Sequence, residues 1–177
     1  MLSDDAAVRS VIVDSDVLST ARTGCVHAVM STISPALVEE LRNLHHRAGV
    51  GYVSATVFGI PAVAEMGELN ILAAGDPEAV STVQPLFEVL GRETWHLGSD
   101  PKRANIAKIA GNLMITLAIE AMGEATALAE SYGLSAEDFL NVMTSTTSPA
   151  QATNALGAIS QVGALNPDSN SLWGSRT

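Results

Sequence analysis

Two hydrophobic periods alternate along the first hundred residues. Short apolar runs of strand length recur at residues 25–30, 52–58, 69–74 and 93–97, the second of them rich in β-branched and aromatic side chains. Between them lie stretches with helical spacing, at 4–13, 36–47 and 78–90; in the last, Val80, Val83, Leu86, Phe87 and Leu90 share one stripe. The punctuation agrees with this division. Ser3 is placed to cap the first helix, Ser34-Pro35 opens the second and Gly49 closes it, and Gly75-Asp76-Pro77 opens the third. Gly59 and Pro61 bracket room for a single helical turn over 62–66. Strands alternating with helices predict an α/β fold with a largely parallel sheet.

After Gly98 the pattern changes. Ser99-Asp100-Pro101 reads as a helix start, and nothing stops the helical pattern between 103 and 132. Thirty residues at about 1.5 Å each span roughly 45 Å. Ile106, Ile109, Leu113, Met114, Leu117, Ile119 and Leu128 lie nearly all round it, so burial from several sides is expected. Gly133 ends it, and Ser135 caps a second helix running to about residue 143. Beyond 145 no periodicity survives. The expected organisation is therefore an α/β segment over 1–98, helices over 99–144, and an irregular tail over 145–177.

Charge narrows the partners. Of 177 residues, 9 are Lys or Arg and 19 are Asp or Glu, a net charge of −10, with only 4% aromatic residues. Such a chain offers no basic stripe for a phosphate backbone and few platforms for stacked bases, so no nucleic-acid partner is expected. Lys108, Asn112, Glu120 and Glu124 interrupt the most apolar stretch, which points to a helix packed in protein and no membrane partner. The one cysteine, Cys25, and an acidic start without an apolar h-region fit a cytoplasmic location.

Lys108 and Asn112 form the sharpest candidate pair. At i and i+4 they share one face of the long helix among apolar neighbours. Burial there lowers a lysine pKa towards the range useful for proton transfer, and an amide can steady a substrate oxygen. The plainer alternative, favoured by spacing alone, is a lysine that snorkels to the surface. Met30-Ser31-Thr32-Ile33-Ser34-Pro35 and Phe58-Gly59-Ile60-Pro61 both sit where a strand ends, the edge that faces ligands in open α/β sheets. An ordinary cap and an ordinary turn explain these two segments equally well. No G-x-G-x-x-G, no G-x-S-x-G and no zinc spacing occurs; the pair His45-His46 reads as a solvated helix face, and no metal is expected.

Taken in order, the segments resemble the β-hydroxyacid dehydrogenase family, the 3-hydroxyisobutyrate dehydrogenase-like oxidoreductases, from Met1 to about Thr146. Residues 1–8 resemble the family's loop and helix after the fourth Rossmann strand, and 30–35 its Ser-Thr-Ile-x-Pro segment. Residues 54–59 occupy the place of its Asp-Ala-Pro-Val-Ser-Gly-Gly motif, and 67–76 that of its G-x-L-x-x-x-x-G-G-D strand. Lys108-Ile109-Ala110-Gly111-Asn112 matches its Lys-x-x-x-Asn helix. The resemblance implies the C-terminal part of a Rossmann-type domain, a long interdomain helix and the start of an all-α domain. It implies hydride transfer between NADP or NAD and a small hydroxy acid or its carbonyl counterpart, with Lys108 as general acid/base. Ser31, Phe58, Gly59 and Asn112 would contact substrate, and Thr32 and Leu2 the cofactor.

Two departures from the family pattern bear on function. Phe58-Gly59-Ile60 replaces Ser-Gly-Gly, removing a hydroxyl donor and adding bulk, and Ile60 lacks the guanidinium of a branch with Phe-Gly-Arg-Pro there. The Gly-rich strand–turn–helix unit that holds a pyrophosphate is missing, as is most of the all-α domain through which family members homodimerise. The expectation is a chain truncated at both ends. Three functions follow from this: an oxidoreductase, with an imine or carbonyl reductase as its relative; a non-catalytic remnant; or a helical interaction module.

Overall fold

The computed structural model describes residues 1–146, and most of the tail expected over 145–177 lies outside them. The chain forms two compact units, Met1–Thr116 and Leu117–Thr177. In the first, a four-stranded sheet has the order β1 (Val26–Val29), β2 (Gly51–Phe58), β3 (Leu69–Gly75), β4 (Gly91–His96). β1 pairs with β2, and β3 with β4, in parallel; β2 and β3 are antiparallel. The exception follows from chain length, because the turn and short helix α3 (Pro61–Glu65) are too brief for a parallel crossover and fold the chain straight back.

The remaining elements sit where the punctuation put them. α2 (Pro35–Ala48) starts on Ser34, whose Oγ accepts from Leu37 N–H, and ends on Gly49 in the left-handed conformation at φ 68°. α4 (Pro77–Leu90) is capped by the Asp76 carboxylate. The first helix differs from expectation. α1 (Asp5–Val8) is capped by Asp4, whose carboxylate accepts from Ala7 N–H at 2.8 Å, while Ser3 donates its own hydroxyl to Asp4; residues 9–13 continue as a wider π-helical turn. A carboxylate at the cap also favours the positive end of the helix dipole, which a hydroxyl does not.

β2 decides how the layers stack. Its odd-numbered residues Val53, Ala55 and Val57 face a core closed by Val80, Val83 and Phe87 of α4. On the other face, Tyr52 packs with Leu37, Val38 and Leu41 of α2, and Leu72 and Ala74 of β3 receive Ala104 of α5 (Lys102–Ser131). One neighbouring residue is not where the sequence placed it. His45 is completely buried, continuing the stripe of Leu37, Val38 and Leu41, and only His46 faces solvent. The His45 Nδ1–H donates to Leu41 O at 2.6 Å, leaving Nε2 to accept from His27 Nδ1 at 2.8 Å. Burial holds both rings neutral, with His27 pushed down to about 4.

α5 is as long as expected but not as covered. Ala104 and Asn105 are its buried residues, and from Ile106 onward the large apolar side chains are exposed, Leu113 at 59% and Ile119 at 67%. A single sheet layer covers only a narrow stripe of a helix that is apolar all round, so only the first turns are packed. By length and composition α5 is able to cross a bilayer, a test that core helices also pass. In the second unit, Gly133 (φ 83°) closes α5 and Ser135 caps α6, whose span Ala136–Thr146 runs three residues past the expected end.

Candidate active site

Four side chains fix how the first turns of α5 lie along β2. Ser54, Thr56 and Phe58, at the strand's two-residue period, all face the helix. Thr56 Oγ1 donates to Ala104 O at 2.9 Å, and Ser54 Oγ accepts from Asn105 Nδ2 at 3.2 Å. The other end of the same carboxamide, Asn105 Oδ1, accepts from Ile33 N–H at 2.8 Å, tying the helix to the loop after β1. Neither hydroxyl was singled out from the sequence. Their signal was there, two polar residues at a spacing of two inside a strand otherwise apolar.

Lys108 follows Asn105 by three residues on the same helix face. Its Nζ lies 3.8 Å from the centre of the Phe58 ring, at the end of β2 and beside Gly59. Among the described residues it has no carboxylate partner; the ring face stabilises its charge. Partial desolvation holds the ammonium below the ordinary lysine range. Close packing leaves little freedom here, since a Cβ on Gly111 would come within 2.4 Å of Phe58 Cζ. Gly59 has φ 150°, and a Cβ there would meet Leu69 Cδ2 at 2.6 Å.

The loop 30–34 is braced from three directions. Ser31 Oγ accepts from Leu2 N–H at 2.7 Å, Ile33 N–H goes to Asn105, and the Asp5 carboxylate accepts from Ser34 N–H and Ser34 Oγ at 2.9 and 2.5 Å. Ser31 is buried and its hydroxyl committed, so it braces the loop. Half-buried Thr32 is left as the loop residue whose hydroxyl has no partner among the described residues. Asp5, read from the sequence only as a first-turn acid, is a further residue on which this geometry depends. Leu2 is exposed and linked to the site through its backbone; Asn112 is exposed on α5, one turn beyond Lys108.

Two larger cavities, of about 550 and 650 Å³, lie at the opposite end of the sheet, lined by residues such as His96 and Gln84, and Arg42 and Asp76. Neither includes Lys108, Thr32 or Gly59, and neither gathers a proton carrier with a strand-end loop. The chemistry converges at the C-terminal ends of β1 and β2.

Comparison with known proteins identifies the family of the chain. Residues 1–98 match the family described as the NAD binding domain of 6-phosphogluconate dehydrogenase. An uncharacterized oxidoreductase of Bacillus subtilis is 35% identical over 144 residues, 80% of this chain and 50% of the relative. The NAD-dependent L-serine dehydrogenase of Pseudomonas aeruginosa is 30% identical over 81% of this chain and 48% of its own length. Among solved structures, the 3-hydroxyisobutyrate dehydrogenase of Mycobacterium tuberculosis with L-serine superposes at a TM-score of 0.75, with 28% identity, over 83% of this chain and 50% of that one. The chain spans about half the length of the curated relatives it matches.

Proposed function

The chain belongs to the 6-phosphogluconate dehydrogenase-type, 3-hydroxyisobutyrate dehydrogenase-like family of NAD(P)-dependent oxidoreductases, and from that premise we propose that it carries the proton-transfer half of a hydride-transfer site for a small hydroxy acid or its carbonyl counterpart. The carrying observation is the Lys108 ammonium, without a carboxylate partner among the described residues and held against Phe58 at the strand end next to Gly59. The residues present fit the nicotinamide end of a dinucleotide: Thr32 keeps an uncommitted hydroxyl on a loop held still by Leu2 N–H, Asp5 and Asn105. They do not include a pyrophosphate cradle, since no G-x-G-x-x-G occurs in the 177 residues.

When bound, the nicotinamide donates or accepts the hydride. In reduction, Lys108 Nζ gives a proton to the carbonyl oxygen as negative charge develops there; in oxidation, the neutral amine takes the hydroxyl proton. Gly59 presents backbone to a substrate carboxylate, and Asn112 steadies the reacting oxygen from the next turn of α5. Phe58 sets a bulkier, less polar wall than the family's serine, which leaves less room and favours small acids. The L-serine dehydrogenase among the relatives acts on a molecule of that size.

A fluorescence titration of NADPH and NADH into the chain tests the reading. Saturable binding that survives Lys108→Met, with turnover lost, supports it. No saturable signal with either nucleotide would contradict it.

A further inference from the structure

Asn105 is an asparagine with no exposed surface at all, in the second turn of a helix whose next large residue, Ile106, is half exposed. A buried carboxamide costs free energy unless both ends are paired, and here both are. Its oxygen takes the Ile33 N–H from the loop that carries Thr32; its nitrogen gives to Ser54 Oγ, which donates onward to the Tyr52 hydroxyl at 3.4 Å. One side chain thus touches three separate pieces of the site: the β1 loop, strand β2 and helix α5.

The second anchor, Thr56 Oγ1 to Ala104 O, does not do the same work. It binds helix to strand and does not reach the loop. Among the described residues, the Asn105 carboxamide is the side chain whose hydrogen bonds join the Thr32 loop directly to α5, the helix that carries Lys108. A three-residue step along a helix turns by roughly 300°, so the two side chains project on adjacent lines of one face, and the roll of the helix at Asn105 is passed directly to Lys108.

We propose that Asn105 is a positioning residue, whose carboxamide locks the Thr32 loop to α5 and thereby holds the Lys108 ammonium over Phe58. This rests on the reading of Lys108 as the proton carrier, but its test does not require turnover. The chain has two lysines, Lys102 and Lys108. Lys102 is ion-paired with Glu39 at 3.1 Å and makes a built-in reference. Reductive methylation of the full chain with ¹³C-formaldehyde labels both, along with the terminal amine.

In the wild-type spectrum the Lys108 methyls are expected upfield of those of Lys102, shifted by the ring beneath them. Asn105→Leu, similar in volume and without polar ends, is expected to move the Lys108 signal to the Lys102 position with the circular dichroism unchanged. Thr56→Val is expected to lower the unfolding midpoint and leave that signal in place. If Asn105→Leu does not fold, Ser54→Ala removes only the partner of the Nδ2 arm and carries the same reading, with a partial downfield move expected. A Lys108 signal that stays upfield in Asn105→Leu, or in Ser54→Ala where that variant stands in for it, overturns the proposal. Failure of nucleotide binding would overturn the dehydrogenase reading alone, since the lysine spectrum is recorded without nucleotide.

Discussion

A lysine among apolar side chains is held by its local contacts, and at Lys108 those contacts are a ring face and partial loss of water. Both matter for proton transfer, because the desolvation that lowers its pKa brings it closer to working pH. In the proposed reaction, oxidation needs the neutral amine and reduction the ammonium. The oxidation rate is therefore expected to rise with pH through a value below the ordinary lysine range, and the reduction rate to fall through the same value. A pH profile in each direction checks this. Lys108→Met keeps the packing against Phe58 but cannot carry a proton. It is expected to cut turnover by roughly 100- to 10,000-fold, with the urea midpoint near that of the wild type.

The helices and strands show what sequence pattern conveys and what it leaves out. The ends of α2, α4 and α5 were legible because caps and stops act locally, through Ser34, Asp76 and Gly133. The antiparallel return from β2 to β3 follows from the short connection between them, but the burial of His45 depends on what lies across the fold, which no local signal encodes. For the same reason Lys108 and Phe58 were both identifiable as candidates, yet their contact was not, nor was the bracing of loop 30–34 by Asp5 and Asn105. Two substitutions probe the elements. Gly111→Ala would stabilise an exposed helix by about 1 kcal/mol. Here the methyl meets Phe58 at 2.4 Å, so the melting temperature is expected to fall instead. The buried pair His27 and His45 makes the contact of β1 with α2 acid-sensitive. His27 titrates near 4 in the folded chain and near the ordinary histidine value of 6.5 when unfolded, so the unfolded state takes up the extra proton in that window. Stability is expected to decline as pH drops from 6.5 to 4, and His27→Leu to flatten the decline; parallel curves would rule the pair out as its source.

At the largest scale, the first unit is one sheet with helices on both faces, and it brings three chain segments to one edge. The loop after β1 brings Thr32, the end of β2 brings Phe58 and Gly59, and α5 brings Lys108. The exposed apolar length of α5 beyond Ile106 shows that this edge is organised by the first turns of the helix alone. The central claim is that a dinucleotide and its substrate come to that edge, beside the Lys108 amine. The most direct measurement is a titration of NADP⁺, and separately NAD⁺, into the ¹³C-methylated chain, following both lysine signals. A saturable shift of the Lys108 methyls, with those of Lys102 unmoved, is the expected result. Signals that do not respond to either nucleotide, or a response at Lys102 in place of Lys108, would contradict it.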